Sequence, residues 1–176
     1  MIQMLVVIGL AAVVVLLVGL STYNHLSHLR DEVRLAWAAM DEQLKLRYQL
    51  TSELVMRVQH IGGDLVNSLS SITTAKNEAV IAFNPAHLAA AENALSAAIH
   101  QLLGNKQAGS GLAEIETKLL RSERAIEISR EKYNACVMSL NDSLKTFPTN
   151  LTARVIGLKS QPVFAESAGE SAGDRR

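Results

Sequence analysis

The chain is short of aromatic residues, cysteine and proline, and each shortage narrows what it can be. Aromatic side chains supply 4% of the 176 residues, whereas apolar residues of all kinds supply 48%. The apolar content is therefore Ala, Leu, Val and Ile, a mix that favours helix packed on helix over a sandwich or barrel. One cysteine, Cys136, excludes an internal disulfide and a paired-cysteine metal site. Three prolines and ten glycines leave room for long elements with few breaks. Lys plus Arg and Asp plus Glu number 17 each. No field of one sign points to nucleic acid.

Charge is also missing locally. Between Met1 and Tyr23 no side chain is charged, and the run MIQMLVVIGLAAVVVLLVGL holds one polar residue, Gln3. At about 1.5 Å per residue, about 20 residues cross a hydrocarbon core of about 30 Å. Residues 1–22 are therefore expected to form a transmembrane helix. Tyr23 follows where interfacial aromatics prefer to sit, with Trp37 further out. The alternative is a cleavable leader cut after Ser21. A retained anchor is preferred, because the segment lacks a basic start and exceeds the roughly 7–15 apolar residues of a leader. No Lys or Arg precedes the span, while Arg30 and Arg34 follow it, so the remainder is expected in the cytoplasm.

Beyond residue 23, apolar positions recur at helical spacing: Leu26, Leu29, Val33, Trp37, Met40 and Leu44, then Leu54, Val55, Val58, Ile61, Leu65, Leu69 and Ile72. No proline interrupts residues 1–84, so the anchor and the first bundle helix are expected to be one rod, with a bend at Gly62-Gly63. Asn84-Pro85 reads as an N-cap and first residue of a helix ending at Gly104. Residues 105–111 (NKQAGSG) read as a loop. In the last long segment Leu112, Leu119, Ile126, Tyr133, Leu140 and Phe147 fall seven apart. Ile115, Ser122, Ser129, Cys136 and Ser143, mostly small, are offset by three, a seam that lets a neighbouring helix approach closely. Pro148 stops it, and a short helix follows to Gly157. The expected fold is all-α: an N-terminal transmembrane helix, then an antiparallel up-and-down bundle of three or four helices over residues 23–164. Residues 165–176 are expected to be a disordered tail.

Two stretches carry a family resemblance. The first begins at Tyr23-Asn24, passes through Leu29-Arg30, Val33, Ala36-Trp37, Asp41, Gln43-Leu44-Lys45 and Arg47, and ends at Leu54-Val55. The second comprises Leu119, Ser122-Glu123, Ile126, Arg130, Tyr133-Asn134, Val137, Asn141, Phe147-Pro148, Gly157 and Phe164. In order, spacing and the preceding apolar run, they resemble the N- and C-terminal signatures of the bacterial LemA proteins. The middle departs: Ser52-Glu53 stands where the family usually has Pro-Asn, and no Tyr-Pro-x-Leu-Lys stretch precedes the last long helix. The resemblance implies a divergent member, an anchored antiparallel helical bundle of the bacterial inner membrane without known catalytic activity.

No phosphate-cradling loop, nucleophile elbow or HExxH motif is present. No catalytic, cofactor or metal residue is assigned, and no small-molecule substrate is expected. His25 and His28 read as a solvated face beside the membrane, and Cys136 as a small buried hydrophobe. The charged signature residues are more informative. Asp41 and Arg47 lie six apart on the first helix, Glu123 and Arg130 seven apart on the last. If the helices run antiparallel, Arg47 reaches Glu123 while Asp41 reaches Arg130. Asp41, Gln43, Arg47, Glu123, Arg130, Tyr133 and Asn134 are thus the candidate polar network that sets helix register. The expected role is a non-catalytic scaffold that organises or shapes a membrane, through self-association or protein partners. The alternative is a sensor or accessory subunit that binds a ligand in a polar pocket of Gln43, Tyr133 and Asn134.

Overall fold

The computed structural model describes residues 1–62, 66, 68–104 and 110–164. Among them are five helices and no strand: α1 (Ile2–Ile61), α2 (Leu69–Val80), α3 (Pro85–Leu103), α4 (Ala113–Ser143) and α5 (Thr149–Ile156). A 3-10 turn, Ser110–Leu112, leads into α4. The chain is all-α, a long apolar N-terminal helix followed by a helical bundle. Most of the expected loop at 105–111 lies outside the described residues, as do Gly63, Leu65 and the tail from residue 165.

Helix α1 runs 60 residues without a break. Between Gly19 and Gly62 it contains neither glycine nor proline. It stops at Gly62, whose φ of +74° is left-handed and open to glycine at no steric cost. Its buried positions are Thr22, Leu26, Leu29, Val33, Ala36, Met40, Leu44, Arg47, Thr51, Leu54 and Val58. The steps alternate between four and three, as a heptad seam requires. Two successive steps of four, Ala36–Met40–Leu44, amount to a four-residue insertion that locally unwinds the seam.

The same slip occurs in α4. Leu112, Ile115, Leu119, Ser122, Ile126, Tyr133, Val137 and Leu140 are buried, so the step after Tyr133 is four. Val137 therefore takes the place expected for Cys136, which is only half-buried. Phe147 is also off the seam: α4 ends at Ser143, and Phe147 lies beyond it, 75% exposed. An α-helix has about 3.6 residues per turn, so a strict seven-residue count drifts off one face over several heptads.

The described residues divide into two compact units. One comprises residues 1–37 and 132–162. In it the Trp37 and Tyr133 rings meet edge to face, 5.3 Å between centroids. The Tyr133 hydroxyl donates to the Pro162 carbonyl at 3.1 Å. Asn141 brackets Gln161, donating to its carbonyl and accepting from its N–H, both at 2.9 Å. These three bonds strap the segment after α5 onto α4. Helix α5 ends on Gly157, left-handed at φ +68°.

The other unit comprises residues 38–131 with Val163 and Phe164. Four helices fill its core: Leu54 and Val58 of α1, Leu69 and Ile72 of α2, Leu95, Ile99 and Leu102 of α3, Ile115 and Leu119 of α4. Each such side chain contributes about 1.5–3 kcal/mol by leaving water. Asn84 caps α3, its side chain accepting from the His87 N–H at 2.7 Å. Arg57 meets Glu114 and Arg47 meets Glu123. Ten residues back along α1 are nine forward along α4, so these helices run antiparallel.

Candidate functional site

The most unusual feature of the second unit is a set of charged groups in its interior. Arg47 occupies a seam position of α1 between Leu44 and Thr51, and its side chain is 5% exposed. Its Nη2 donates to Ser96 Oγ of α3 at 2.8 Å and lies 3.8 Å from Glu123 Oε1 of α4. Its Nε is 3.7 Å from Glu92 Oε2 of α3. That distance gives Coulomb attraction without a hydrogen bond, and neither atom has a hydrogen-bond partner among the described residues. The other oxygen of Glu92 accepts from the Tyr48 hydroxyl at 2.7 Å. Glu123 Oε2 in turn sits 3.2 Å from His100 Nε2. One guanidinium thus ties α1 to both α3 and α4.

Burial governs the electrostatics. Desolvation pushes the Glu92 carboxyl above its ordinary value, against the Tyr48 hydrogen bond and the Arg47 charge, which pull it down. The Tyr48 phenol is pushed far up, first by burial and then by the neighbouring Glu92 charge. A buried ion pair of this kind gains little net stability over an apolar replacement, but leaving one partner alone costs about 3–5 kcal/mol. Its chemistry is suited to fixing register among three helices. Among the described residues no group of three or more His, Cys, Asp or Glu could hold a metal ion.

Of the seven residues singled out from sequence, Arg47 and Glu123 are brought together. Asp41 and Arg130 are not paired with each other: the Asp41 carboxylate takes Lys45 at 2.5 Å, and Arg130 takes Glu127 at 2.5 Å. Each of these two pairs is local, one helical turn away, where a short reach costs less side-chain entropy than a partner on another helix. Gln43 lines an open cleft of about 340 Å³ with Leu46, Leu50, Lys118, Arg121, Ser122 and Ala125. Tyr133 and Asn134 belong to the other compact unit, where Tyr133 is held by Trp37 and Pro162.

Tyr48, Glu92, Ser96 and His100 complete the cluster without having been singled out for it. For Glu92 a signal existed. Leu88, Ala91, Leu95, Ile99 and Leu102 are the buried face of α3, and Glu92 stands on that face. A carboxylate on an apolar stripe needs a buried partner, although the stripe does not say which.

Helices, antiparallel packing and an interior arginine clamp define a helical-bundle protein carried on one long apolar helix. The family model of the LemA family matches residues 36–174, and the chain belongs to that family. No curated protein matches it in sequence.

Proposed function

We propose that this chain is a non-catalytic, membrane-anchored helical scaffold of a bacterial inner membrane. Its bundle stands on the cytoplasmic side and organises or shapes the membrane by self-association or by recruiting protein partners. One observation carries the reading. Every large apolar side chain from Ile2 to Leu20 is exposed, on a helix that continues without interruption into the bundle core at Leu26. A surface that long and apolar is stable in lipid rather than water, and α1 is long and apolar enough to cross a bilayer. Further support for partner binding comes from the corner between α2 and α3, where Val80, Ile81 and Phe83 are all exposed.

The test is extraction from native membranes. The chain is expected to resist release by salt and alkali, and to leave in mild detergent as a homo-oligomer or with a co-purifying protein. Release without detergent would remove the anchor, and a lone monomer in detergent would remove the scaffold.

A further inference from the structure

The short helix α5 presents two unlike faces. Thr149 and Ala153 are buried, one turn apart. Leu151 and Val155, also one turn apart, are 52% and 87% exposed on the opposite side. Large apolar side chains concentrated on one outward face of so short a helix mark a contact surface. Its position says with what.

Ile156, Gly157 and Leu158 line a cleft of about 420 Å³ together with Tyr23, Leu26 and Arg30 of α1. Tyr23 stands three residues beyond Leu20, the end of the run of apolar side chains, and Arg30 lies about 10 Å further along the helix. If α1 spans a bilayer, the end of α5 is held at the depth of the lipid headgroups. Arg30 lines that cleft, Arg154 and Lys159 flank its α5 residues in sequence, and all three are exposed. Exposed apolar side chains with cations alongside are the composition of a helix that lies in a membrane interface.

We propose that α5 is a second membrane contact, lying in the interface beside the anchor. Leu151 and Val155 enter the acyl boundary, while Arg154 and Lys159 meet anionic phosphate headgroups. This rests on the anchored reading of α1 and adds to it a lipid-binding surface that the strap from Asn141 and Tyr133 to Gln161 and Pro162 holds in place.

The experiment uses the full chain in vesicles containing anionic phospholipid. Cys136, the one native cysteine, is replaced by Ala, and a polarity-sensitive fluorophore is placed on single cysteines at Leu10, Val155 or Ile128. All three side chains are exposed, so labelling leaves the packing intact. The Leu10 probe is expected to be quenched by deep nitroxide lipids. The Val155 probe is expected to shift to the blue and to be quenched by shallow nitroxide lipids several-fold more than the Ile128 probe. A Val155 probe as wet as Ile128, with Leu10 quenched, overturns the proposal and leaves the anchor standing. A Val155 probe shielded from water but unquenched by any lipid places protein there instead, and overturns it too. An unquenched Leu10 sinks the anchor itself.

Discussion

Arg47 Nε and Glu92 Oε2 face each other 3.7 Å apart, with side chains 5% and 8% exposed. A guanidinium has donors only and is not deprotonated in proteins, so the pair brings a positive charge into the interior whether or not Glu92 is ionised. Glu92 can surrender its charge by taking up a proton, and burial pushes it in that direction. The pair is thus asymmetric. The arginine must be neutralised, and Glu92 and Glu123 on two different helices share the task.

Replacing Arg47 by Met should destabilise the bundle by about 3–5 kcal/mol, because Glu92 is left buried without its cation. Arg47→Met with Glu92→Met should recover most of that loss. Asp41→Ala, by contrast, removes a surface pair and should cost under about 1 kcal/mol. Denaturant unfolding of the detergent-solubilised chain, followed by helical circular dichroism, measures these three variants and Glu92→Met alone, which completes the double-mutant cycle. A coupling between Arg47 and Glu92 within about 0.5 kcal/mol of zero would falsify the clamp.

The raised Glu92 pKa makes stability depend on pH in a stated direction. A group whose folded pKa exceeds its unfolded value binds protons more tightly when folded. Its stabilising contribution is full below the ordinary value of 4.5 and is lost as pH rises through the folded value. Glu92→Gln keeps an acceptor for Tyr48 and cannot titrate. The stability difference between native chain and variant should therefore move in favour of the native chain as pH falls from neutral toward about 4.5. An unchanged difference across that range would mean that burial leaves Glu92 unperturbed.

The strap behind α5 should loosen in steps. Tyr133→Phe removes one hydrogen bond, to Pro162, and Asn141→Ala removes both to Gln161. At a net worth of about 1 kcal/mol per bond, amide exchange at Gln161 should speed up about fivefold or more in Asn141→Ala. Global stability should change far less, since the core is untouched. Equal protection of Gln161 in both variants and the native chain would show that the strap does not hold.

Gly157 ends α5 at φ +68°, with nothing within 4 Å of where a Cβ would stand. Gly157→Ala therefore meets no clash beyond its own backbone and isolates the cost of the left-handed conformation, about 1–2 kcal/mol. A lower melting temperature with an unchanged helical spectrum is the expected result. A melting temperature equal to that of the native chain would mean that the cap is not left-handed in solution.

Much of the architecture follows from residues near in sequence. The single rod of α1 follows from the lack of glycine and proline between Gly19 and Gly62, and the Asn84 cap follows from a side chain that reaches only its own next turn. The ends at Gly62, Gly104 and Gly157 are likewise local. The positions of Val137 and Phe147 were not legible in the same way. A seven-residue count assumes one geometry along the whole seam, and α4 drifts from it by one step and ends before Phe147.

The helices, their order and the apolar span were thus legible along the chain, and of the two expected cross-helix pairs Arg47–Glu123 is present. Local hydrogen bonds and the 3.6-residue period act within a few residues, so they can be read along the chain. Tertiary packing alone selected Glu92 as a second partner for Arg47, left Asp41 and Arg130 unpaired with each other, and set the end of α5 beside Tyr23. Those outcomes depend on which helix faces which. Many side chains on the middle helices could have faced α1, and packing of the core selected one.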